Sequence, residues 1–413
     1  MNPKNIAIVG TGISGLSAAF YLNKAGHRLK LFEAADYIGG HTHTVGTEYD
    51  GEQAQIDTGF IVFNDRTYPN FISLLDEIEV AYQPTEMSFS VRNDHENLEY
   101  NGTDINGLFA QRSNLLHPRF YRLLKDILHF NKAVRNRSEA NGETTIGEFL
   151  DQSRYSAWFS DNYLLPMIAA IWSMGTDDCR DFPLKFFVKF FTNHGLLDLV
   201  NRPQWYTIKG GSSSYIVPLT DNFSDDIVLS TPVERIERTE AGVTLHTTGG
   251  AQSFDEVVLA CHGDQALALL QEPSNAERRI LSNFEFSSNQ VILHTDTSHL
   301  PRRKRAWASW NYRVSDAGSE RSTLTYNMNI LQRLDTKHTY LVSLNQDIDP
   351  ARTIREFTYS HPVYSVAMIE AQEQWQNISG VDRIHYCGAY WFNGFHEDGV
   401  KSGRRVASML GYN

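Results

Sequence analysis

Two stretches at opposite ends of the chain carry residue types and spacings that can do chemistry. Near the C-terminus, NGFHEDGVKSG sets His396, Glu397 and Asp398 directly before Gly399. Near the N-terminus, GTGISG sets Gly10, Gly12 and Gly15 in a G-x-G-x-x-G pattern. In that pattern the first glycine permits a tight turn, the second lets a pyrophosphate approach the backbone, and the third lets a helix pack against a strand. The helix that starts here, with Ser14 in its first turn, offers free N–H groups to phosphate oxygens. Glu33 closes the next strand-like run, where an acid accepts hydrogen bonds from an adenosine ribose. Gly39 and Gly40 then let the backbone pass close to a further part of the ligand. These residues predict a dinucleotide site, and the motif by itself leaves NAD and FAD both open.

Such a site needs a β-α-β frame, and the N-terminus reads that way. Residues 6–10 are apolar and β-branched, as in a buried parallel strand. Residues 14–25 carry Leu16, Ala19 and Phe20 at helical spacing, with Gly26 placed as a C′ glycine. Residues 28–33 form the second strand. Between about residues 68 and 200 the character changes. NFISLLDEIEV, RFYRLLKDILHFNKAV and TIGEFLDQ read as amphipathic helices, and MSFSVRNDHENLEYNG alternates like a hairpin. The run FFVKFF fits core packing, a tunnel wall or a membrane-dipping helix. Gly/Ser-rich residues 207–219 look like a crossing between domains, followed by the strands IVLSTPVERIERT, GVTLHTT and FDEVVLA. NQVILHT and TYLVSLN are further strands, and a last helix is expected over residues 399–410.

Bulk properties narrow the classes. A chain of 413 residues exceeds one ordinary core and predicts two domains. A net charge of −12 argues against a nucleic-acid partner. The one dense basic run, Arg302 to Arg305, reads as a solvated loop or a contact with membrane headgroups. Three cysteines, none as C-x-x-C, fit a reducing cytosol and predict neither a disulfide framework nor a metal site. No signal-peptide core or transmembrane run is read, so a cytoplasmic protein is expected, at most peripheral to the inner face of the membrane.

Four matches, in order along the whole chain, resemble one superfamily, the FAD-dependent flavin amine oxidases, which include protoporphyrinogen oxidases and phytoene desaturases. They are the glycine fingerprint with Glu33; Gly39-Gly40, followed by His41 where the superfamily most often has Arg; IKGGSSSYIVPL with the later TPVERIE and VVLACHGDQALALL; and YCGAYWFNGFHEDGVKSGRRVA. WASWNY, TYNMNILQ, HPVY and GFHEDG further resemble a bacterial subfamily of predicted NAD/FAD-binding oxidoreductases linked to fatty-acid modification. The resemblance implies an α/β fold: a Rossmann-type FAD-binding domain on a parallel sheet, with a mixed α+β substrate domain inserted discontinuously. The expected division gives 1–67, 205–264 and 380–413 to the FAD domain, and 68–204 and 265–379 to the substrate domain.

Carried onto this sequence, the resemblance assigns FAD contacts to Gly10, Gly12, Ser14, Gly15, Glu33, Gly39, Gly40, His41, Thr42, Val233, Gly388, Asp398, Gly399 and Val400. Val233 would clasp the adenine. Where the superfamily places an acid on the ribityl chain, this sequence has Ala389. Asp398 is expected to N-cap the last helix. The N–H groups of Gly399 and Val400 would then face the flavin, and the helix dipole would favour electron acceptance. His396, Glu397, Trp391 and Tyr312 are the candidate catalytic residues. Trp307, Trp310, Tyr326 and Phe60 are candidate pocket walls, and Lys209 and Lys304 are candidates for the lysine that holds a water near the flavin in amine oxidases. The activity implied is oxidation or desaturation of a lipophilic small molecule, an acyl chain or an amine, with oxygen or a quinone-like carrier as electron acceptor. The alternative is an isomerase of an unsaturated fatty acid that borrows and returns a hydride.

Overall fold

The computed structural model describes residues 2–135, 144–172, 178–193, 202–314 and 323–412. Five short strands form a wholly parallel sheet in the order Ile227–Val228, Arg28–Phe32, Asn5–Val9, Glu256–Leu259, Ile384–Tyr386. Ile6, Ala7, Ile8, Val257 and Val258 are all buried, because helices and loops cover both faces and leave no polar alternation. The order reverses at the central Asn5–Val9 strand, so a crevice opens at the carboxyl ends of the strands.

From that crevice the Ile13–Lys24 helix departs, and the C-terminal helix, His396–Met409, lies along it. The two meet through Gly399 and Gly403, one turn apart. A Cβ on Gly403 would come within 2.5 Å of the Ser14 carbonyl oxygen, and one on Gly399 within 2.5 Å of Ile13 Cγ2. The C-terminal helix begins three residues earlier than the sequence suggests. Its N-cap is Phe395, whose N–H donates to the Asp398 carboxylate at 3.0 Å while Gly399 N–H donates to the Phe395 carbonyl at 3.1 Å. A carboxylate can satisfy a helix start from the third helical position as well as from the cap, and here Asp398 does so.

The second sheet has seven strands: Thr353–Pro362, Phe286–His294, Leu341–Leu344, Leu324–Asn327, Trp310–Val314, Phe89–Asn93 and Leu98–Asn101, in that order. Its pairings are antiparallel except that between Trp310–Val314 and Phe89–Asn93. The helices Pro118–Arg135, Leu165–Trp172 and Leu184–Asn193 pack beside it. Of the FFVKFF run, Phe186, Phe187 and Phe191 are buried, and Phe187 stacks on Phe191 at 3.9 Å; Phe190 lies outside the described side chains. A small antiparallel sheet of Phe63–Asn64, Trp205–Ile208 and Tyr82–Thr85 ties the two larger units together. Directly after it Gly211 sits at φ +98°, and a Cβ there would strike Thr44 Cγ2 at 2.4 Å. The basic run is anchored: Arg302 meets Asp94 at 2.8 Å and Arg303 meets Glu99 at 2.9 Å. Among the described residues no helix is long and apolar enough to cross a membrane.

Candidate functional site

A single cavity of about 1340 Å³ extends from the crevice at the strand ends into the space between the seven-stranded sheet and the helices. Its inner end is a bare backbone cradle. Gly10 turns at φ +101°, and Gly12 caps the Ile13–Lys24 helix with no side chain bonded to the first N–H groups. A Cβ on Gly12 would meet nothing within 4 Å, whereas one on Gly15 would lie 2.1 Å from the Gly10 carbonyl oxygen. So Gly12 keeps space open and Gly15 closes a helix onto a strand. Gly40, at φ +58°, rests against Gly12, with a would-be Cβ 3.2 Å from its Cα. Open space over uncapped N–H groups is what an anionic diphosphate fits.

Beside the cradle, Glu33 Oε2 accepts from Thr11 N (2.8 Å) and Thr11 Oγ1 (2.6 Å), and Oε1 accepts from Ala35 N (2.9 Å). These bonds fix the carboxylate at the cavity wall with acceptor capacity left over. Val233, Gly39, Ser14 and Gly388 line the same wall.

Deeper in stand three histidines, His41, His262 and His361. Burial, then the neighbouring His361 and His262, push the pKa of His41 down to about 3; burial likewise lowers His361 to about 4. His41 Nε2 is buried without a hydrogen-bond partner, as are the hydroxyls of Tyr364 and Tyr390, and all three residues line the cavity. Buried polar atoms in this state are costly, and a polar group bound in the cavity would satisfy them.

The three ionisable residues of the C-terminal motif have three different surroundings. His396 lines the cavity: its ring stacks on Phe60 at 3.5 Å, and its Nε2 meets Tyr215 OH at 2.8 Å and Thr42 Oγ1 at 3.1 Å. Burial holds its pKa well below the usual imidazole value, so the ring is neutral. Glu397 points the other way. Its carboxylate accepts from Asn70 N (3.2 Å), Asn70 Nδ2 (2.5 Å) and Phe71 N (2.9 Å), the uncapped start of the Pro69–Glu77 helix. Asp398 closes its own helix start, and burial raises its carboxyl to a pKa of about 7.

Several of the expected site residues lie off the cavity wall. Glu397, Asp398, Gly399 and Val400 do not line the cavity: the helix starts at His396, Gly399 packs against Ile13 and Ser14 of the neighbouring helix, and Val400 is buried. Trp391 is buried against Phe284 at 4.5 Å, and its neighbour Tyr390 faces the cavity instead. Tyr312 is buried away from the wall, which Trp310 and Tyr326 form. Trp307 lies outside it and donates from Nε1 to the Pro301 carbonyl at 2.8 Å. Lys209 and Lys304 are exposed, and no described lysine lines the cavity. Thr42 supports His396 from behind, and Gly15 serves packing. Sequence reasoning missed Tyr215, Tyr364, Tyr390 and His361. Each sits inside one of the family-like motifs, but nothing in a motif tells which of its members face inward.

Known proteins share this architecture. The family described as flavin containing amine oxidoreductase matches residues 13–344. An L-amino-acid oxidase of Bungarus fasciatus is 50% identical over 50 residues, 12% of this chain and 10% of that one. The chain spans only 10% to 59% of the length of the first curated relatives it matches. Among solved structures, a cyclohexylamine oxidase from Brevibacterium oxydans superposes with a TM-score of 0.70 at 16% identity, covering 99% of this chain and 98% of that one. A CLA-producing fatty acid isomerase from P. acnes superposes with a TM-score of 0.71 at 16% identity, covering 99% of each. At that identity the likeness is one of fold.

Proposed function

This chain belongs to the flavin-containing amine oxidoreductase family, and from that premise we propose that it is an FAD-dependent oxidoreductase acting on a long lipophilic molecule, an acyl chain in the first instance. The enzyme class and the cofactor follow from the family; the substrate is our reading. FAD, when bound, accepts a hydride from a substrate carbon. Gly10, Gly12 and the first N–H groups of the Ile13–Lys24 helix would hold its diphosphate, Glu33 its adenosine ribose and Val233 its adenine. His41, Tyr390 and the start of the C-terminal helix at His396 would meet its flavin half. His396, neutral and fixed by Tyr215 and Thr42, would orient the reacting end without adding charge.

The observation that carries the substrate reading is the outer wall of the cavity. Phe89, Leu124, Ile127, Met167, Trp310 and Tyr326 supply apolar surface, and among the described lining residues Arg202 is the one Lys or Arg side chain. The apolar extent of this wall favours an apolar chain, and beyond Glu33 at the cradle Glu86 is the one lining acid, among the described residues, that could meet an amine. The interleaving of the two large sheets along the chain supports dividing it into a discontinuous FAD unit and a discontinuous substrate unit.

The fold shared with a fatty acid isomerase supports a second reading, in which the hydride returns to the same molecule and no net oxidation occurs. Incubating the holoprotein with a long-chain polyunsaturated fatty acid, while following oxygen uptake and the product by mass spectrometry, separates the two. Oxygen uptake with a product two hydrogens lighter supports the oxidoreductase. A product of equal mass with moved double bonds supports the isomerase. No conversion of any acyl lipid, with turnover of polar amines, overturns both.

A further inference from the structure

Five of the ten exposed large hydrophobic residues in the described chain fall within residues 105–128: Ile105, Leu115, Leu116, Tyr121 and Leu128. Ile105 is 77% exposed, Leu116 88% and Leu128 52%. They are joined in space. Tyr121 OH donates to the Leu115 carbonyl at 2.8 Å, and the Phe109 ring, one turn from Ile105, lies 6.3 Å from that of Tyr121. On the Pro118–Arg135 helix, Tyr121, Lys125, Leu128 and Lys132 follow the i, i+4, i+7, i+11 spacing of one face.

The charge of this stretch departs from that of the molecule. Residues 105–132 hold Arg112, Arg119, Arg122, Lys125 and Lys132, all exposed, against the single acid Asp126, which is buried. Five minus one gives +4, in a chain whose net charge is −12. Arg122 pairs with Asp126 at 2.9 Å and Arg119 lies 3.8 Å from Glu96; Arg112, Lys125 and Lys132 have no acidic partner among the described residues. The exposed Asp104 at the edge caps the short Ile105–Leu108 helix, accepting from Gly107 N at 2.6 Å.

The same elements form the outer end of the cavity. Leu108, Leu124, Ile127 and Leu128 line it, and Leu128 is at once lining and exposed, so the cavity reaches the edge of the patch at Leu128.

We propose that residues 105–132 dock on an anionic phospholipid bilayer, with Ile105 and Leu116 entering the headgroup–acyl boundary, Lys125 and Lys132 meeting lipid phosphates, and the end of the cavity at Leu128 facing the lipid. Protruding aliphatic side chains ringed by unpaired cations are the pattern of a peripheral membrane contact. The proposal deepens the reading of a lipophilic substrate, because an acyl chain then passes from bilayer to cavity without crossing water.

Cosedimentation of the holoprotein with phosphatidylcholine vesicles containing one third phosphatidylglycerol tests it, without substrate or turnover, so its outcome is independent of the substrate reading. Binding to these vesicles, far weaker binding to pure phosphatidylcholine, and release by high salt are expected. Leu116→Asp and Ile105→Asp should each weaken partitioning roughly ten-fold or more, and Lys125→Gln and Lys132→Gln roughly five-fold each. Circular dichroism and flavin content of these surface variants should match the parent. No preference for anionic vesicles, or unchanged binding of folded Leu116→Asp, overturns the proposal. So does a dimer in sedimentation velocity that Leu116→Asp dissociates, which would assign the face to a second copy of the chain.

Discussion

Glu397 offers the sharpest contrast between what the motif suggests and what the structure does with it. An acid next to His396 invites a catalytic role, yet its carboxylate closes the start of the Pro69–Glu77 helix, whose own N-cap, Tyr68, supplies no side-chain bond. Removing it in Glu397→Ala leaves the Asn70 and Phe71 N–H groups without an acceptor. A lost cap costs about 1–2 kcal/mol, and a lost negative charge at a partly buried helix N-terminus costs up to about 2 more. Asn70 Nδ2, being half-buried, turns to water at little cost. The total is about 1–4 kcal/mol, or roughly 1–5 °C in Tm for a chain of 413 residues. Glu397→Gln keeps one acceptor oxygen and loses the charge, so it should lose about half as much. Differential scanning calorimetry, flavin content and kcat on the same preparations make the test. A lowered Tm with near-parental kcat per bound flavin is expected at a temperature where the variant is folded. An unchanged Tm with kcat down a hundred-fold would refute the capping assignment and return Glu397 to the chemistry.

Gly12→Ala should fold with near-parental Tm, because its methyl enters open space, but purify with little flavin; Gly403→Ala should instead lose stability by about 1–3 kcal/mol, since its methyl meets backbone of the neighbouring helix. Glu33→Gln loses charge-assisted bonds from Thr11 and Ala35 as well as from the ribose. It should weaken FAD binding ten-fold or more, read by equilibrium dialysis of the apoprotein. Asp398, with its folded pKa raised to about 7 by burial, keeps its proton in the folded state where the unfolded chain has lost it. Its contribution to stability is therefore present below about pH 4 and is lost as pH rises to about 7. Asp398→Asn, which keeps an acceptor for Phe395 N–H, should gain Tm relative to the parent between pH 5 and 8, and a parallel pair of Tm–pH curves would count against the buried, raised carboxyl.

The cradle was legible because its rules are local. Glycine spacing, the strand before it and the acid after it act within one β-α-β unit, and Gly10, Gly12, Glu33, Gly39, Gly40 and His41 all line the cavity. The C-terminal motif was legible as a motif and not as geometry. Moving the helix start by three residues turns Asp398 from a cap into a third helical residue, and a helix turns each successive side chain by about 100°, so Glu397 and His396 point to different surroundings. Which acid caps which helix depends on the Pro69–Glu77 helix, more than three hundred positions earlier in the chain. Likewise, strand alternation places Trp310 and Tyr312 on the same face, yet only Trp310 reaches the cavity, because the helices over that sheet cover Tyr312. Of the exposed apolar stretch at 105–128, the part within RFYRLLKDILHFNKAV reads in sequence as one amphipathic helix, and the part before it carries no reading. Only the packed structure shows that Leu116 and Leu128 were left outside.

The central claim, that FAD in this cavity oxidises a long apolar substrate, is tested most directly by mixing the holoprotein anaerobically with long-chain unsaturated acyl lipids, a porphyrinogen and small amines in parallel, and recording the visible flavin absorption. The account predicts loss of the band with the acyl lipids, faster as the chain lengthens to fill the cavity. Loss of the band with a small polar amine and none with any acyl lipid would contradict it.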